Sequence, residues 1–226
     1  MDGYDIFALE NISRRYKTSN KVIVFFRVLC LLLLLGTVIA PFIVQGVHEL
    51  KIAFFHLTQW GLVLTIVYFA LNLVLFVDKK NTERLGTFFH ITFTLELFIT
   101  IAFWAVILPT DKNYDPSKMS LTTYYVLNSL LHGVPIICLI IDFFLNRIYI
   151  SGQNIQALFG LLFVYLIVNV FGTLILDYSI YTIITYTDVT TYLIFIITVG
   201  LLFVFWVVIL KLQKLKYIKG ESIFDI

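Results

Sequence analysis

Long apolar runs separated by short polar breaks form the dominant pattern of this chain. Within each run, apolar residues follow one another without the polar–apolar alternation of barrel strands. A helix needs about 20 apolar residues to cross the hydrocarbon of a bilayer, and six runs reach that length. They are 22–45, 53–77, 87–108, 121–145, 154–176 and 189–210. The pattern predicts an all-α, six-helix polytopic membrane bundle (22–210), with a polar N-terminal segment (1–21) and a basic C-terminal tail (211–226).

Composition agrees with a membrane protein. Hydrophobic residues make up 60% of the 226 positions and charged residues 13%, whereas about a quarter of a soluble domain is charged. A net charge of +2 gives no reason to expect nucleic acid as a partner. Cys30 and Cys138 both lie inside apolar runs, which favours buried, small apolar side chains over a disulfide framework or a metal site. No metal and no cofactor is predicted.

Lysine and arginine are distributed unevenly between the two sides of the predicted membrane. Six spans place both termini on one side, and that side carries twelve of these residues, whereas the other carries Lys51, Lys112 and Lys118. Because positive residues concentrate on the cytoplasmic side, both termini are predicted in the cytoplasm, or in the matrix for a mitochondrial protein. The sixteenth residue, Arg27, lies inside the first span.

Charged residues inside the spans are candidates for function because they are costly in hydrocarbon. Arg27 and Asp142 lie at similar depths, about five residues from the same side, so we expect a structural ion pair. His90 falls in the same layer. Glu96 and His132 lie near the midplane, and Asn128 shares a helix face with His132.

The stretch "NSLLHGVPIICLIIDFFLN", residues 128–146, combines His132 with Gly133 and Pro135. Proline removes an amide donor and bends a helix, and glycine permits close approach of a backbone or a ligand. We expect the bend to form a wall of a lipid-accessible cavity between spans 2, 3 and 4. His132 is then either part of a structural hydrogen-bond cluster with Asn128 and Glu96 or an activated base.

Three segments of the chain resemble a known family. "HLTQWGLVLTIVYF" in span 2, "FWAVILPTD" at the end of span 3 and "LNSLLHGVPIICLIID" in span 4 are similar to the androgen-induced-gene and androgen-dependent TFPI-regulating proteins. They are also similar to the related rolling-stone group. The resemblance covers roughly 54–147 and is weaker in spans 5 and 6. It implies an intramembrane threonine hydrolase that cleaves fatty acid esters of hydroxy fatty acids.

The resemblance places the threonine nucleophile on Thr58 and the histidine base on His132. A threonine hydroxyl needs a base to take its proton, and Asn128 or the Gln59 amide would then stabilise the oxyanion. Depths estimated from the ends of the runs place Thr58 nearer the membrane surface than His132. Thr65 lies seven residues further along the span, on the same helix face, and is therefore the alternate nucleophile. Glu96 is a supporting residue.

Two other functions fit the same sequence. The chain could be a non-catalytic, accessory subunit of a larger membrane complex, or a small transporter with Glu96 and His132 as its proton relay. Membrane lipids are expected partners in each case, and protein subunits in the second. The resemblance implies the endoplasmic reticulum or the plasma membrane, whereas a complex subunit would also suit the mitochondrial inner membrane.

Overall fold

The computed structural model describes residues 20–45, 52–74, 79–110, 119–145, 154–181 and 183–222. Within these ranges the chain forms six long helices and no strand. They are α1 (Asn20–Gln45), α2 (Leu57–Val74), α3 (Lys79–Ala102), α4 (Leu121–Leu145), α5 (Ile155–Leu176) and α6 (Val189–Ser222). A π-helical turn, Phe103–Ile107, and a short α-helical turn, Leu108–Thr110, extend α3.

Each of the six helices contains a stretch long and apolar enough to cross a membrane. The predicted all-helical, multipass membrane fold is thereby confirmed. The side of the membrane on which the termini lie stays a prediction, because Lys51, Lys112 and Lys118 all fall outside the described residues.

Helix α3 is the centre of the bundle. It contacts α2, α4, α5 and α6, while α1 packs against α2 and α4. The largest buried cluster contains residues of α1, α2, α3 and α4, such as Leu34, Leu62, Phe89 and Leu139. Two smaller clusters join α3 to α5, one also including α2 and the other α6. Helix α3 has polar residues on its inner face because neighbouring helices shield it from lipid.

Three predicted helix ends differ from the structure by four residues or more. The third helix begins at Lys79 rather than 87. The second helix begins at Leu57 rather than 53, because residues 52–56 form separate turns, with Phe55 N donating to Ile52 O and His56 N to Ala53 O, each at 3.0 Å. The sixth helix runs on to Ser222, so the predicted tail at 211 does not begin at a structural break. The polar segment 1–19 lies outside the described residues.

Helix α4 runs continuously through Pro135. Pro135 leaves the carbonyl oxygen of Leu131 without its amide donor, and the next carbonyl along the helix, that of His132, accepts a hydrogen bond from Thr100 Oγ1 at 2.8 Å. Gly133 is not a point of close helix approach, because a Cβ added there would meet no described atom within 4 Å. The expected close backbone contact at this glycine is therefore wrong, whereas a ligand beside it stays a prediction.

Candidate functional site

Arg27 and Asp142, the expected ion pair, are brought together in the structure. Arg27 Nε lies 3.1 Å from Asp142 Oδ1, and both side chains are almost fully buried. The other carboxylate oxygen, Oδ2, accepts a 2.5 Å hydrogen bond from the hydroxyl of Tyr68. Asp142 therefore joins α1, α2 and α4, and its charge is shared between a guanidinium and a phenol, as a buried charge requires.

His90 does not join this layer in the way the sequence suggested. Its ring is fully buried and stacks on Trp206 of α6 with 3.5 Å between ring centroids. Nε2 lies 3.1 Å from the carbonyl oxygen of Trp206. His90 thus belongs to the packing of α3 against α6.

Glu96 faces α2 and not His132. Thr65 Oγ1 lies 3.3 Å from Glu96 Oε1 and 2.9 Å from the carbonyl oxygen of Gly61. A Cβ at Gly61 would come within 2.5 Å of Glu96 Oε1, so the glycine makes room for the carboxyl group. The expected contact between Glu96 and His132 is wrong, because the carboxyl group fills the space beside Gly61.

The two candidate oxyanion donors are used differently from the prediction. Asn128 Nδ2 donates to the carbonyl oxygen of Tyr124, one turn earlier on its own helix, at 2.9 Å. The backbone N–H of Gln59 donates to His56 O at 3.1 Å. The backbone N–H of Gln59 is therefore occupied, whereas Asn128 Nδ2 carries a second hydrogen that its bond to Tyr124 does not use.

His132 is held by stacking. Its ring lies parallel to that of Phe103, the first residue of the π-helical turn, with 3.6 Å between centroids and 8° between planes. Nδ1 is buried and has no hydrogen-bond partner among the described residues. His56 lies within electrostatic range of the same ring. A buried imidazole with an unused nitrogen is available for proton transfer.

The register of α2 against α4 places Thr58 at the depth of His132. The two helices run in the same direction, and the bond from Tyr68 to Asp142 fixes one level. Thr58 precedes Tyr68 by ten residues, and His132 precedes Asp142 by ten residues. Both therefore lie about 15 Å along the helix axes from that bond. The depth difference estimated from the sequence is therefore wrong. Helix α2 begins deeper in the bundle than α4 does, so the first residues of α2 lie level with the middle of α4.

The register of α2 against α3 gives the same result independently. The contact of Thr65 with Glu96 fixes one level between these antiparallel helices. Thr58 lies seven residues before Thr65, and Phe103 lies seven residues after Glu96, which is about 10 Å along each helix. Thr58, Phe103 and His132 consequently form one layer, which we call the Thr58 layer.

The hydroxyl of Thr58 lacks a hydrogen-bond partner among the described residues, as do the hydroxyls of three other helical threonines, Thr92, Thr94 and Thr173. Thr37 and Thr65 donate to the carbonyl oxygen four residues earlier, the usual arrangement. The corresponding oxygen for Thr58 belongs to Phe54 and accepts the indole N–H of Trp60 at 2.8 Å. Thr58 is half-buried, and its hydroxyl has no partner within the described ranges. It therefore remains available for chemistry.

A polar cluster holds the start of α2 next to this layer, and we call it the tyrosine cap. Leu57 N–H donates to Tyr181 Oη at 3.0 Å. The carbonyl oxygen of Phe55 accepts hydrogen bonds from Tyr165 Oη at 2.9 Å and Asn169 Nδ2 at 3.2 Å. The hydroxyl of Tyr186 donates to Asn169 Oδ1. The cap consists of Tyr165, Asn169, Tyr181 and Tyr186, and it satisfies backbone groups on both sides of His56.

The tyrosine cap and Tyr68 were not predicted from the sequence. An intramembrane asparagine four residues after a tyrosine, Tyr165 and Asn169, was the available signal. Asp188 supports the same segment, because its carboxylate accepts Thr191 N–H and the Thr185 hydroxyl, each at 2.8 Å. These bonds hold the pKa of the Asp188 carboxyl below its ordinary value.

Comparison of the chain with known protein families, curated proteins and solved structures finds no match. Among the described residues, no group of three His, Cys, Asp or Glu side chains could hold a metal ion.

Proposed function

We propose that this protein is an intramembrane hydrolase of lipid esters, with Thr58 as nucleophile and His132 as general base. The observation that carries the proposal is the Thr58 layer, in which an unbonded threonine hydroxyl and an imidazole with an unused nitrogen lie at one depth. The resemblance to the threonine hydrolases points to the same two residues. Fatty acid esters of hydroxy fatty acids are the substrate class that the resemblance implies.

The geometry favours Thr58 over Thr65. The single hydroxyl hydrogen of Thr65 lies between two acceptors, Gly61 O and Glu96 Oε1. Attack by Thr65 would require both contacts to be broken, leaving a buried carboxyl group without its partner. The Thr58 hydroxyl gives up no hydrogen bond when it turns towards a substrate. Glu96 then has a supporting role, since it holds α2 against α3 at the correct register.

The reaction proceeds through an acyl-enzyme. Thr58 Oγ1 attacks the ester carbonyl carbon while a ring nitrogen of His132 takes the hydroxyl proton. The bond to the leaving oxygen breaks, and that oxygen receives the proton from His132 and departs as the hydroxy fatty acid. Water, deprotonated by His132, then cleaves the acyl–Thr58 ester and releases the second fatty acid.

Phe103 and the tyrosine cap position these groups. The stacked ring of Phe103 limits rotation of the His132 imidazole, and the bond from Leu57 N–H to Tyr181 fixes the residue directly before Thr58. Such positioning contributes much of the rate of an oriented reaction. The resemblance favours the endoplasmic reticulum or the plasma membrane as the site of action.

Hydrolysis by the purified protein in liposomes tests the proposal. Release of fatty acid from an ester of a hydroxy fatty acid is measured for the wild type and for Thr58→Ala, His132→Ala and Thr65→Val. We expect the first two changes to reduce the rate by about 10²-fold or more, and Thr58→Ser to retain activity. Thr65→Val tests the alternate nucleophile but also removes the contact with Glu96, so Thr94→Val, which removes a buried hydroxyl that makes no hydrogen bond among the described residues, is the matched control.

Unchanged hydrolysis in both Thr58→Ala and His132→Ala would exclude this mechanism. Loss in Thr65→Val with retention in Thr58→Ala would move the nucleophile to Thr65. A folded wild-type protein that cleaves no such ester and co-purifies from native membranes in a large complex would favour the accessory-subunit function instead.

A further inference from the structure

The only two cysteines of the chain face each other across α1 and α4. Cys30 lies three residues after Arg27, and Cys138 lies four residues before Asp142. Because α1 and α4 are antiparallel and the pair Arg27–Asp142 is in contact at 3.1 Å, both cysteines lie about one helical turn from the ion pair in the same direction. The two side chains belong to one buried cluster.

Both cysteines are free thiols inside the membrane. Cys30 lies about 14 Å along α1 from Lys21, and Cys138 about 11 Å along α4 from Leu145. Their exposed fractions are 2% and 4%. Charged, water-soluble oxidants are excluded at this depth, where the surrounding medium is hydrocarbon.

Lipid lies only one side chain away from the thiols. The chain neighbours Leu29 and Ile137 are 45% and 55% exposed on the outer surface of the bundle. A reactive group carried on an acyl chain therefore reaches the level of Cys30 and Cys138 from the bilayer.

We propose that Cys30 and Cys138 form a dithiol site for lipid hydroperoxides and close to a disulfide between α1 and α4. One sulfur attacks the outer peroxide oxygen, the O–O bond breaks, and the alkoxide leaves as a lipid alcohol after taking the thiol proton. The resulting sulfenic acid is displaced by the second thiol. An S–S bond forms and water leaves, so the two thiols lose two electrons while the hydroperoxide is reduced.

The disulfide would join α1 to α4 beside the ion pair that already fixes their register. Closing a long loop restricts the unfolded chain and stabilises the folded one. This inference is independent of the proposed hydrolase function, since neither cysteine belongs to the Thr58 layer.

The test uses the full-length protein in liposomes that contain a phospholipid with a hydroperoxide on its acyl chain. Free thiols are counted by alkylation after denaturation, and the peptide linkage is read by mass spectrometry. We expect the two free thiols of each chain to be lost and a Cys30–Cys138 linkage within one chain. Glutathione disulfide in the aqueous phase should leave both thiols free.

Two kinds of variant separate an intramolecular disulfide from general oxidation. Cys30→Ser and Cys138→Ser each lack the second thiol, so neither should form a linkage within one chain, and the variant that keeps the attacking thiol should stop at the sulfenic acid. In the variant Cys30→Ser with Leu34→Cys, the thiol moves about 6 Å along α1 within the same buried cluster, and linkage to Cys138 should be slower.

Persistence of both thiols in the wild type, or their loss without a Cys30–Cys138 linkage, would overturn the proposal. So would equally fast linkage in the shifted variant. The wild-type measurement needs no substitution and is decisive even where a variant fails to fold.

Discussion

Tyr68 on α2 donates a hydrogen bond of 2.5 Å to Asp142 on α4, and this bond sets the level of the candidate site. Two helices that are not consecutive in the chain are held in register by it, so residues ten positions earlier on each helix lie at equal depth. Those residues are Thr58 and His132. The same carboxylate neutralises Arg27, which makes Asp142 the main polar connection among the first, second and fourth helices.

Removal of Asp142 should strongly destabilise the bundle. Asp142→Ala leaves the Arg27 guanidinium buried without its counter-charge, and breaking a buried pair costs about 3–5 kcal/mol. We expect a large fall in the thermal unfolding temperature in detergent. The double variant Arg27→Met with Asp142→Leu removes both charges and should recover much of the loss. A double variant as unstable as Asp142→Ala would contradict the account.

Substitution of alanine for glycine should affect the stability of the protein differently at two positions of α5. At Gly172 a Cβ would lie 2.4 Å from the ring of Phe55, whereas at Gly160 no described atom lies within 4 Å. Gly172→Ala should cost about 1–3 kcal/mol by overpacking and displace Phe55, whose carbonyl belongs to the hydrogen bonds of the tyrosine cap. Gly160→Ala should be neutral or stabilise by up to about 1 kcal/mol.

The unfolding temperatures of the two variants measure this difference directly. Equal unfolding temperatures would show that Phe55 does not pack against α5 as described. A drop for Gly160→Ala alone would reverse the expected order.

The six spans could be predicted from the sequence, because the length of each apolar run is visible in it. The pairing of Arg27 with Asp142 could be predicted as well, because the two charges lie at matched depths in their runs. The sequence was not sufficient for the level of Thr58. Depth was counted from the ends of apolar runs, and the recessed start of α2 depends on turns at 52–56 and on contacts from Tyr165 and Tyr181. The contact of the Thr65 hydroxyl with α3 likewise depends on the facing residue, Glu96.

Tyr181→Phe should weaken the start of α2 while leaving its ring in place. The Leu57 amide loses its acceptor, which costs about 1–3 kcal/mol for a buried donor. Hydrolysis, if Thr58 is the nucleophile, should fall mainly through kcat, because the attacking residue is less well positioned. Tyr178→Phe is the matched control, since Tyr178 is 49% exposed in the same segment. Identical kcat and unfolding temperature in both variants would show that Tyr181 does not position the start of α2.

The stability of the segment before α6 should depend on pH through Asp188. Hydrogen bonds from Thr191 N–H and the Thr185 hydroxyl lower the pKa of Asp188 in the folded protein. The stabilisation is therefore complete above the ordinary Asp pKa of about 3.9 and is lost as the pH falls through the lower, folded value.

Asp188→Ala should consequently unfold at a lower temperature than the wild type at neutral pH, and the difference should shrink as the pH falls below about 4. Asp188→Asn retains an acceptor for Thr191 N–H and should show a smaller difference. A difference for Asp188→Ala that grows in acid would have the wrong sign for this mechanism.

The acyl-enzyme itself gives the most direct test of the central claim that Thr58 and His132 act together. The protein in liposomes is treated with a fluorophosphonate probe that carries an alkyl chain, digested, and analysed by mass spectrometry for the modified residue. We expect one adduct on Thr58 in the wild type and its loss in His132→Ala. An adduct on Thr65, or an equal yield on Thr58 without His132, would contradict this claim.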